Sequence, residues 1–124
     1  MSLETISEQP SLENLLRQLN ENSQNAPTEI AIYCEEHTEY QQIKTLLTQI
    51  EAAGEDMEQI QNLVIAFLDN RETEKDNVNN AQQLQFDIET QIFLYYIYSK
   101  LGKEFQANAE ETLEAIGDMV ININ

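Results

Sequence analysis

The sequence predicts an all-α fold: a compact bundle of four or five helices in a single acidic domain over residues 1–124. Apolar residues make up 41 % of the chain and recur at the three- and four-residue steps that are typical of amphipathic helices. Only three glycines and two prolines occur among 124 residues, so long helices are favoured. The regular apolar stripes argue against a disordered chain, although the high net charge would permit one. Residues 1–10 are polar, and we expect them to form a flexible N-terminal segment.

The N-terminal half contains two predicted helices. Ser11 is a candidate N-cap for a short helix, whose apolar face consists of Leu12, Leu15, Leu16 and Leu19. Thr28 is a candidate N-cap for a longer helix, whose apolar stripe runs over 30–50 and which Gly54 should end. A short strand over 30–34 is the alternative, because three of these five residues suit a sheet. The unbroken helical spacing that follows favours the helix.

The C-terminal half contains the rest of the bundle. Asp56 is a candidate N-cap for a third helix that runs to about Asn70. The charged, Asn-rich stretch 71–80 is predicted to bend, either as a loop or as a solvated helical turn. A fourth helix starts near Val78 and becomes apolar on every side over 92–98, which is typical of a helix at the centre of a fold or under a second subunit.

A last helix is predicted after a break at Gly102. Asn108 and Glu111 have the spacing of a capping pair at its start, and 121–124 are expected to fray. Around the break lie Tyr98, Leu101, Gly102 and Phe105. Their spacing resembles the first-helix half of a tetratricopeptide repeat, a module of paired helices that binds peptides and proteins. The second half of that motif is missing, since Glu114 stands where the family places a small residue, so the resemblance assigns no family to the chain.

The charge balance narrows the classes of partner. The chain has 23 acidic and six basic residues and a formal net charge of -17. Excess carboxylates repel phosphate backbones and anionic lipids, so we expect no direct nucleic-acid binding, no membrane binding, and a basic protein as partner. The single cysteine, Cys34, cannot form an internal disulfide, and neither a secretion signal nor a membrane span is recognisable. These features predict a cytoplasmic protein.

The sequence offers little catalytic or metal-binding chemistry. Cys34 and His37 could meet on a helix as a nucleophilic pair or as two zinc ligands, but a zinc site needs three or four ligands. A packed structural residue is the better interpretation of His37. The acidic stretch Asp69–Asn80 lacks the glycine and the final glutamate of a calcium loop. We therefore expect no enzymatic activity, no cofactor and no metal.

Three groups of carboxylates are the candidate partner-binding residues. The C-terminal row consists of Glu110, Glu114 and Asp118, the central row of Asp69, Glu72 and Asp76, and the N-terminal cluster of Glu35, Glu36 and Glu39. Like charges at helical spacing cost a few tenths of a kcal/mol per pair. A role in binding would explain this unfavourable arrangement of charges, and a role in solubility is the alternative.

A second candidate surface is aromatic. The apolar segment over 92–101 exceeds what one side of a small bundle can cover, so a homo-oligomer is possible through Phe93, Tyr95, Tyr96 and Tyr98.

Together these observations predict a non-catalytic protein-binding module of the adaptor, chaperone or inhibitor class, which engages a basic or partly apolar surface of a partner. The alternative is a nucleic-acid mimic, whose carboxylates imitate phosphates and occupy the cleft of a DNA- or RNA-binding protein. Mimicry requires a continuous track of carboxylates, whereas a general binder needs only an acidic patch with apolar anchors.

Overall fold

A computed structural model describes residues 12–21 and 23–123 of the chain, with the side chains of Ser23 and 120–123 left out. Over these residues it contains six α-helices: α1 Leu12–Glu21, α2 Ala26–Glu36, α3 Tyr40–Ala53, α4 Met57–Lys75, α5 Gln83–Lys100 and α6 Gln106–Ile123. Short 3₁₀ segments precede three of the helices, at Ser23–Asn25, Asn80–Gln82 and Lys103–Phe105. No described residue lies in a strand, so the all-α prediction is confirmed. The predicted flexible segment 1–10 and the candidate cap Ser11 lie outside the described residues.

Helix α5 is the centre of the bundle. It packs against α2, α3, α4 and α6, while α1 packs against α2 and α6. All six residues over 92–97 are buried, because this part of the sequence is apolar on every side and neighbours surround it. The prediction of a central helix is therefore confirmed. None of the helices in the described part of the chain is both long and apolar enough to cross a membrane.

The described residues form six helices because the long helix predicted from Thr28 onward is two. Helix α2 ends at Glu36, and His37 has an extended backbone (φ -79°, ψ 149°). The Nδ1 atom of His37 accepts a hydrogen bond from the Glu39 N–H at 3.0 Å, and such local side-chain bonds compete with helix continuation. The start at Thr28 is also wrong, because Pro27 occupies the first turn of α2, a position where its missing N–H costs nothing.

The bend predicted for 71–80 is shorter than expected. Helix α4 continues to Lys75, and Arg71 is 4 % exposed. Hydrogen bonds from Arg71 to Glu89 and Thr90 and from Lys75 to Asp87 hold this end of α4 against α5, so its charged composition does not make it a loop. Helix α5 accordingly begins at Gln83, after the 3₁₀ turn, and not near Val78.

The last helix begins earlier and ends later than predicted. Helix α6 starts at Gln106, so Asn108 is an interior residue whose carbonyl accepts a hydrogen bond from the Thr112 hydroxyl at 2.8 Å. The capping pair with Glu111 is therefore wrong. The helix also extends through Ile123, so fraying over 121–123 is not observed.

Three predicted boundaries are confirmed. Helix α3 ends before Gly54, which has a positive φ of 66°, and Asp56 caps α4 by accepting the Gln59 N–H at 3.1 Å. Gly102 separates α5 from α6 with a φ of 98°, a conformation that suits glycine. The short connection between α3 and α4 makes them an antiparallel pair.

Candidate functional site

The C-terminal row lies along α6 and faces solvent. Glu110, Glu114 and Asp118 are all exposed, whereas Ala109 and Ile116, on another side of the same helix, are buried. None of the three carboxylates takes part in an ion pair among the described residues. The row therefore presents three negative charges that no ion pair among the described residues neutralises.

The central row spans the last turns of α4 and its C-cap residue, Asp76, and is likewise exposed. The neighbouring Lys75 does not neutralise it by direct pairing, because its ammonium donates to Asp87 of α5 at 2.9 Å. That hydrogen bond raises the pKa of Lys75 above its ordinary value, and the charges of Glu72 and Asp76 add to the shift. Ile65 precedes Asp69 by four residues on the same side of α4 and is 53 % exposed. The row thus combines acidic groups with an apolar side chain.

The N-terminal cluster is divided by the end of α2. Glu35 and Glu36 are exposed on the last turn of that helix, and Glu39 is half-buried just before α3. Glu35 also has a structural partner, because it accepts a hydrogen bond from the Tyr96 hydroxyl at 3.0 Å. Burial raises the pKa of Tyr96, and the bonds to Tyr40 and Glu35 add to the shift. This cluster is therefore the least available of the three groups.

A groove runs along the pair formed by α3 and α4 and brings acidic and apolar groups together. Its volume is about 680 Å³, and all eleven lining residues come from these two helices. Leu46, Leu63 and Phe67 contribute apolar surface, and Asp69 of the central row lines it as well. Because the helices are antiparallel, Glu39 at the start of α3 lies at the same end of the pair as the central row. We call this the α3–α4 groove.

A second groove of about 360 Å³ separates α5 from α6. Its lining includes the apolar residues Ala109 and Leu113 together with Glu110 of the C-terminal row and one cation, Lys103. We call it the α5–α6 groove. Like the larger groove, it places a carboxylate of a predicted row beside apolar side chains.

The interior contains a polar network that sequence reasoning missed. Glu89 of α5 accepts hydrogen bonds from the hydroxyl of Tyr33, from His37 Nε2 at 3.2 Å and from the Arg71 guanidinium at 3.2 Å. Arg71 also donates from Nε to the Thr90 hydroxyl at 2.9 Å. These five residues, the Glu89 network, tie α2 and its carboxyl end, α4 and α5 together. Its outer edge lines a further groove of about 410 Å³.

Aromatic rings complete the surroundings of Arg71. The carbon of its guanidinium lies 3.8 Å from the centre of the Phe86 ring and 4.9 Å from that of Phe93. A planar guanidinium stacks well on such rings while its edges donate hydrogen bonds. The cation is therefore almost fully buried without an unpaired charge beside it.

The network sets the protonation state of its own members. Burial alone would raise the pKa of Glu89, but the hydrogen bonds from His37 and Tyr33 and the charge of Arg71 leave that pKa below its ordinary value of 4.5. Ionised Glu89 therefore stabilises the fold fully when the pH is above its ordinary pKa. This stabilisation is lost as the pH falls through the lowered pKa of the folded state. Burial and the bond to Glu89 raise the pKa of Tyr33, so the phenol keeps its proton.

The arrangement of the network is suited to holding helices together. Since His37 Nδ1 accepts the Glu39 N–H, the ring hydrogen is on Nε2 and points at Glu89. Both ring nitrogens are occupied, so neither is available as a general base. The ring also packs edge-on against Phe93 at a centroid distance of 5.1 Å, which confirms the prediction that His37 is a packed residue.

The Cys34 and His37 pair does not form a reactive site. Cys34 is fully buried, and its thiol faces the carbonyl of Ile92 at 3.9 Å. Burial raises the pKa of this thiol, which disfavours the nucleophilic thiolate. Among the residues described, no group of three or more His, Cys, Asp or Glu side chains could hold a metal ion.

The argument for self-association through the aromatic segment is wrong. Phe93, Tyr95 and Tyr96 are buried inside one chain, and Tyr98 is half-buried and stacks on Phe105 at a centroid distance of 5.8 Å. The sequence argument assumed that one side of the helix would be covered, whereas four helices surround α5. Self-association itself stays a prediction, but this segment no longer motivates it.

The comparisons with known proteins assign no class to this arrangement. No protein-family model matches the sequence, and neither the curated proteins nor the solved structures that were searched include a match. The half-repeat around Gly102 is accordingly a local resemblance: Tyr98 and Phe105 pack against each other across the turn between α5 and α6.

Proposed function

We propose that this protein is a non-catalytic protein-binding module, whose exposed carboxylates engage a basic and partly apolar surface of a partner. One observation carries the proposal: among the described residues, no carboxylate of the C-terminal or central row takes part in an ion pair. Of the six basic residues, Arg71 and Lys75 pair with Glu89 and Asp87, and Lys44 and Lys100 lie over tyrosine rings. Lys103 lines the α5–α6 groove together with Glu110, but no carboxylate of either row takes part in an ion pair within the described part of the chain, so both rows can attract an external cation.

The grooves support an apolar component of the same contact. Leu113 lies beside Glu110 in the α5–α6 groove, and Ile65 lies on the same side of α4 as Asp69. Rim charges steer encounter with a partner, while buried apolar anchors usually dominate the binding energy. A patch that has both is what a binder of basic proteins requires.

The proposal predicts that the C-terminal row accelerates association. Partners captured from the native cell would be identified by mass spectrometry and purified, and binding kinetics would be measured at low and moderate salt. Replacing Glu110 and Glu114 by Gln and Asp118 by Asn should slow association by roughly three- to tenfold at low salt, because long-range attraction steers the encounter. Added salt should remove the difference, since it screens charges beyond about 8 Å.

A matched control separates the row from net charge. Replacing the exposed Glu13, Glu21 and Glu104 by Gln removes three charges outside the predicted groups and should slow association less. If both triple variants associate at the wild-type rate at low salt, the rows serve solubility and the proposal fails. The nucleic-acid mimic stays the alternative: it predicts that DNA or RNA competes with this protein for the captured partner.

A further inference from the structure

The α3–α4 groove has the shape of a docking site for one helix. Its lining residues follow helical steps on both walls, at Gln42, Thr45 and Gln49 on α3 and at Leu63, Ala66, Phe67, Asn70 and Thr73 on α4. With a rise of 1.5 Å per residue, these stretches span about 10–15 Å. The groove is therefore long enough to seat two to three turns of a helix.

Its chemistry is apolar in the middle and polar at the edges. Leu46, Leu63 and Phe67 supply the apolar surface, and the amide and hydroxyl side chains beside them can exchange hydrogen bonds with a partner or with water. An amphipathic helix binds such a groove by inserting apolar residues at three- and four-residue steps. The lining thus fits the apolar face of a helix.

The charge around the groove selects the kind of helix. None of the eleven lining residues is basic, and the exposed carboxylates of Glu51, Glu55 and Glu58 lie around the turn that joins α3 to α4, at one end of the helix pair. The central row lies at the other end, where the carboxyl terminus of α4 adds a partial negative charge. Lysine or arginine side chains flanking an apolar centre would complement both ends.

The same charge disfavours other occupants. A second copy of the chain also carries a formal charge of -17, so bringing two copies together at an acidic groove is repulsive. The segment 1–11 contains Glu4 and Glu8 and no basic residue. Charge complementarity therefore favours a basic partner over either of these.

We propose that the α3–α4 groove binds an amphipathic helix of a partner protein, with aliphatic side chains against Leu46, Leu63 and Phe67 and with basic side chains at both ends. This inference rests on the proposed function and adds the place of contact and the chemistry of the contacting segment.

The test uses a synthetic peptide of about 18 residues, or roughly five helical turns, with leucines at helical spacing in its centre and lysines at both ends. A scrambled peptide of the same composition is the first control. Binding would be followed by fluorescence anisotropy at about 0.15 M salt, and the contact surface would be mapped by amide chemical shifts. The ordered peptide should bind at least about tenfold more tightly than the scrambled one and should shift amides of α3 and α4.

Substitutions in the protein locate the contact. Ala66 and Gln49 are exposed and line the groove, so Ala66→Arg and Gln49→Arg should fill it with a repelling cation and weaken binding of the ordered peptide by about tenfold or more. Ala107→Arg is the matched control, because Ala107 is exposed on α6 and does not line the groove. Its affinity should stay within about twofold of wild type, well under the 1.4 kcal/mol of a tenfold change.

Several results would overturn the inference. These are equal binding of ordered and scrambled peptides, no binding up to about 1 mM, wild-type affinity in both groove variants, or shifts confined to α6. A wild-type dimer that Ala66→Arg dissociates would assign the groove to a second copy, and tighter peptide binding after deletion of 1–11 would assign it to that segment. If the groove variants bind the native partner normally while the C-terminal row variant associates slowly, the proposed function stands and only the docking site is wrong.

Discussion

Two sets of carboxylates in this protein have opposite surroundings. The side chain of Glu89 is only 17 % exposed and accepts hydrogen bonds from Tyr33, His37 and Arg71. The C-terminal row on α6 is exposed and makes no ion pair within the described residues. The chain has only six basic residues for 23 acidic ones, and yet one of the six is buried beside Glu89.

The difference follows from what an unpaired charge costs in each place. A buried carboxylate without partners costs several kcal/mol, whereas like charges along an exposed helix cost only a few tenths per pair. A stable fold therefore requires hydrogen-bond donors around the buried Glu89, whereas the exposed carboxylates of α6 can remain without such partners. The network contributes to holding the helices together, and the exposed rows, which stability does not require, are the features on which the proposed function rests.

Removing Arg71 tests the buried side of the comparison and has the largest expected effect. Arg71→Met leaves Glu89 with two donors and no compensating charge from α4, so the free energy of unfolding should fall by about 3–5 kcal/mol, as for other broken buried pairs. Urea denaturation followed by circular dichroism would measure the change.

Lys75→Met is the matched control, since Lys75 lies four residues further along α4. Its pair with Asp87 is partly exposed, with 24 % and 36 % of the two side chains accessible. Exposed pairs contribute up to about 1 kcal/mol. Equal losses in the two variants would contradict the view that burial distinguishes the two pairs.

Two tyrosine hydroxyls sharpen the comparison further. Tyr33 donates to the largely buried Glu89, and Tyr96 donates to the exposed Glu35 at 3.0 Å. Tyr33→Phe should lower the free energy of unfolding by about 1.5–3 kcal/mol, the usual range for a hydrogen bond to a charged group, and Tyr96→Phe by less than about 1 kcal/mol. Thermal or urea unfolding of both variants would show the difference. A larger loss for Tyr96→Phe would mean that the bond to Glu35 matters more than the Glu89 network.

Sequence reasoning predicted the fold better than the network. The all-α class, the central position of α5 and the boundaries at Gly54, Asp56 and Gly102 follow from local features: apolar spacing, capping groups and glycine conformation. The split at His37 was missed because the contacts of its ring, with the Glu39 N–H and with the carboxylate of Glu89, determine it. The spacing of apolar residues carries no information about these two contacts.

The network itself left a weak signal in the sequence. Arg71 lies seven residues after Val64 and four after Phe67, so it falls on the apolar stripe of α4, and Glu89 lies four residues before the buried Phe93. Charged residues in register with apolar stripes on two helices can indicate a buried pair. The charged composition of 71–80 favoured a loop instead, and only tertiary contacts decide between these interpretations.

The smallest expected effect concerns the exposed side of the comparison. Replacing Glu110 and Glu114 by Gln and Asp118 by Asn removes two like-charge pairs at four-residue spacing, each of which costs about 0.2–0.5 kcal/mol. The free energy of unfolding should therefore rise by up to about 1 kcal/mol at low salt, and the gain should shrink as added salt screens the wild-type repulsion. Urea denaturation at two salt concentrations would measure both changes. Unfolding curves that instead show a clear loss of stability would mean that these carboxylates have stabilising partners in solution, and α6 would then belong with the Glu89 network as a part of the fold that needs its charges.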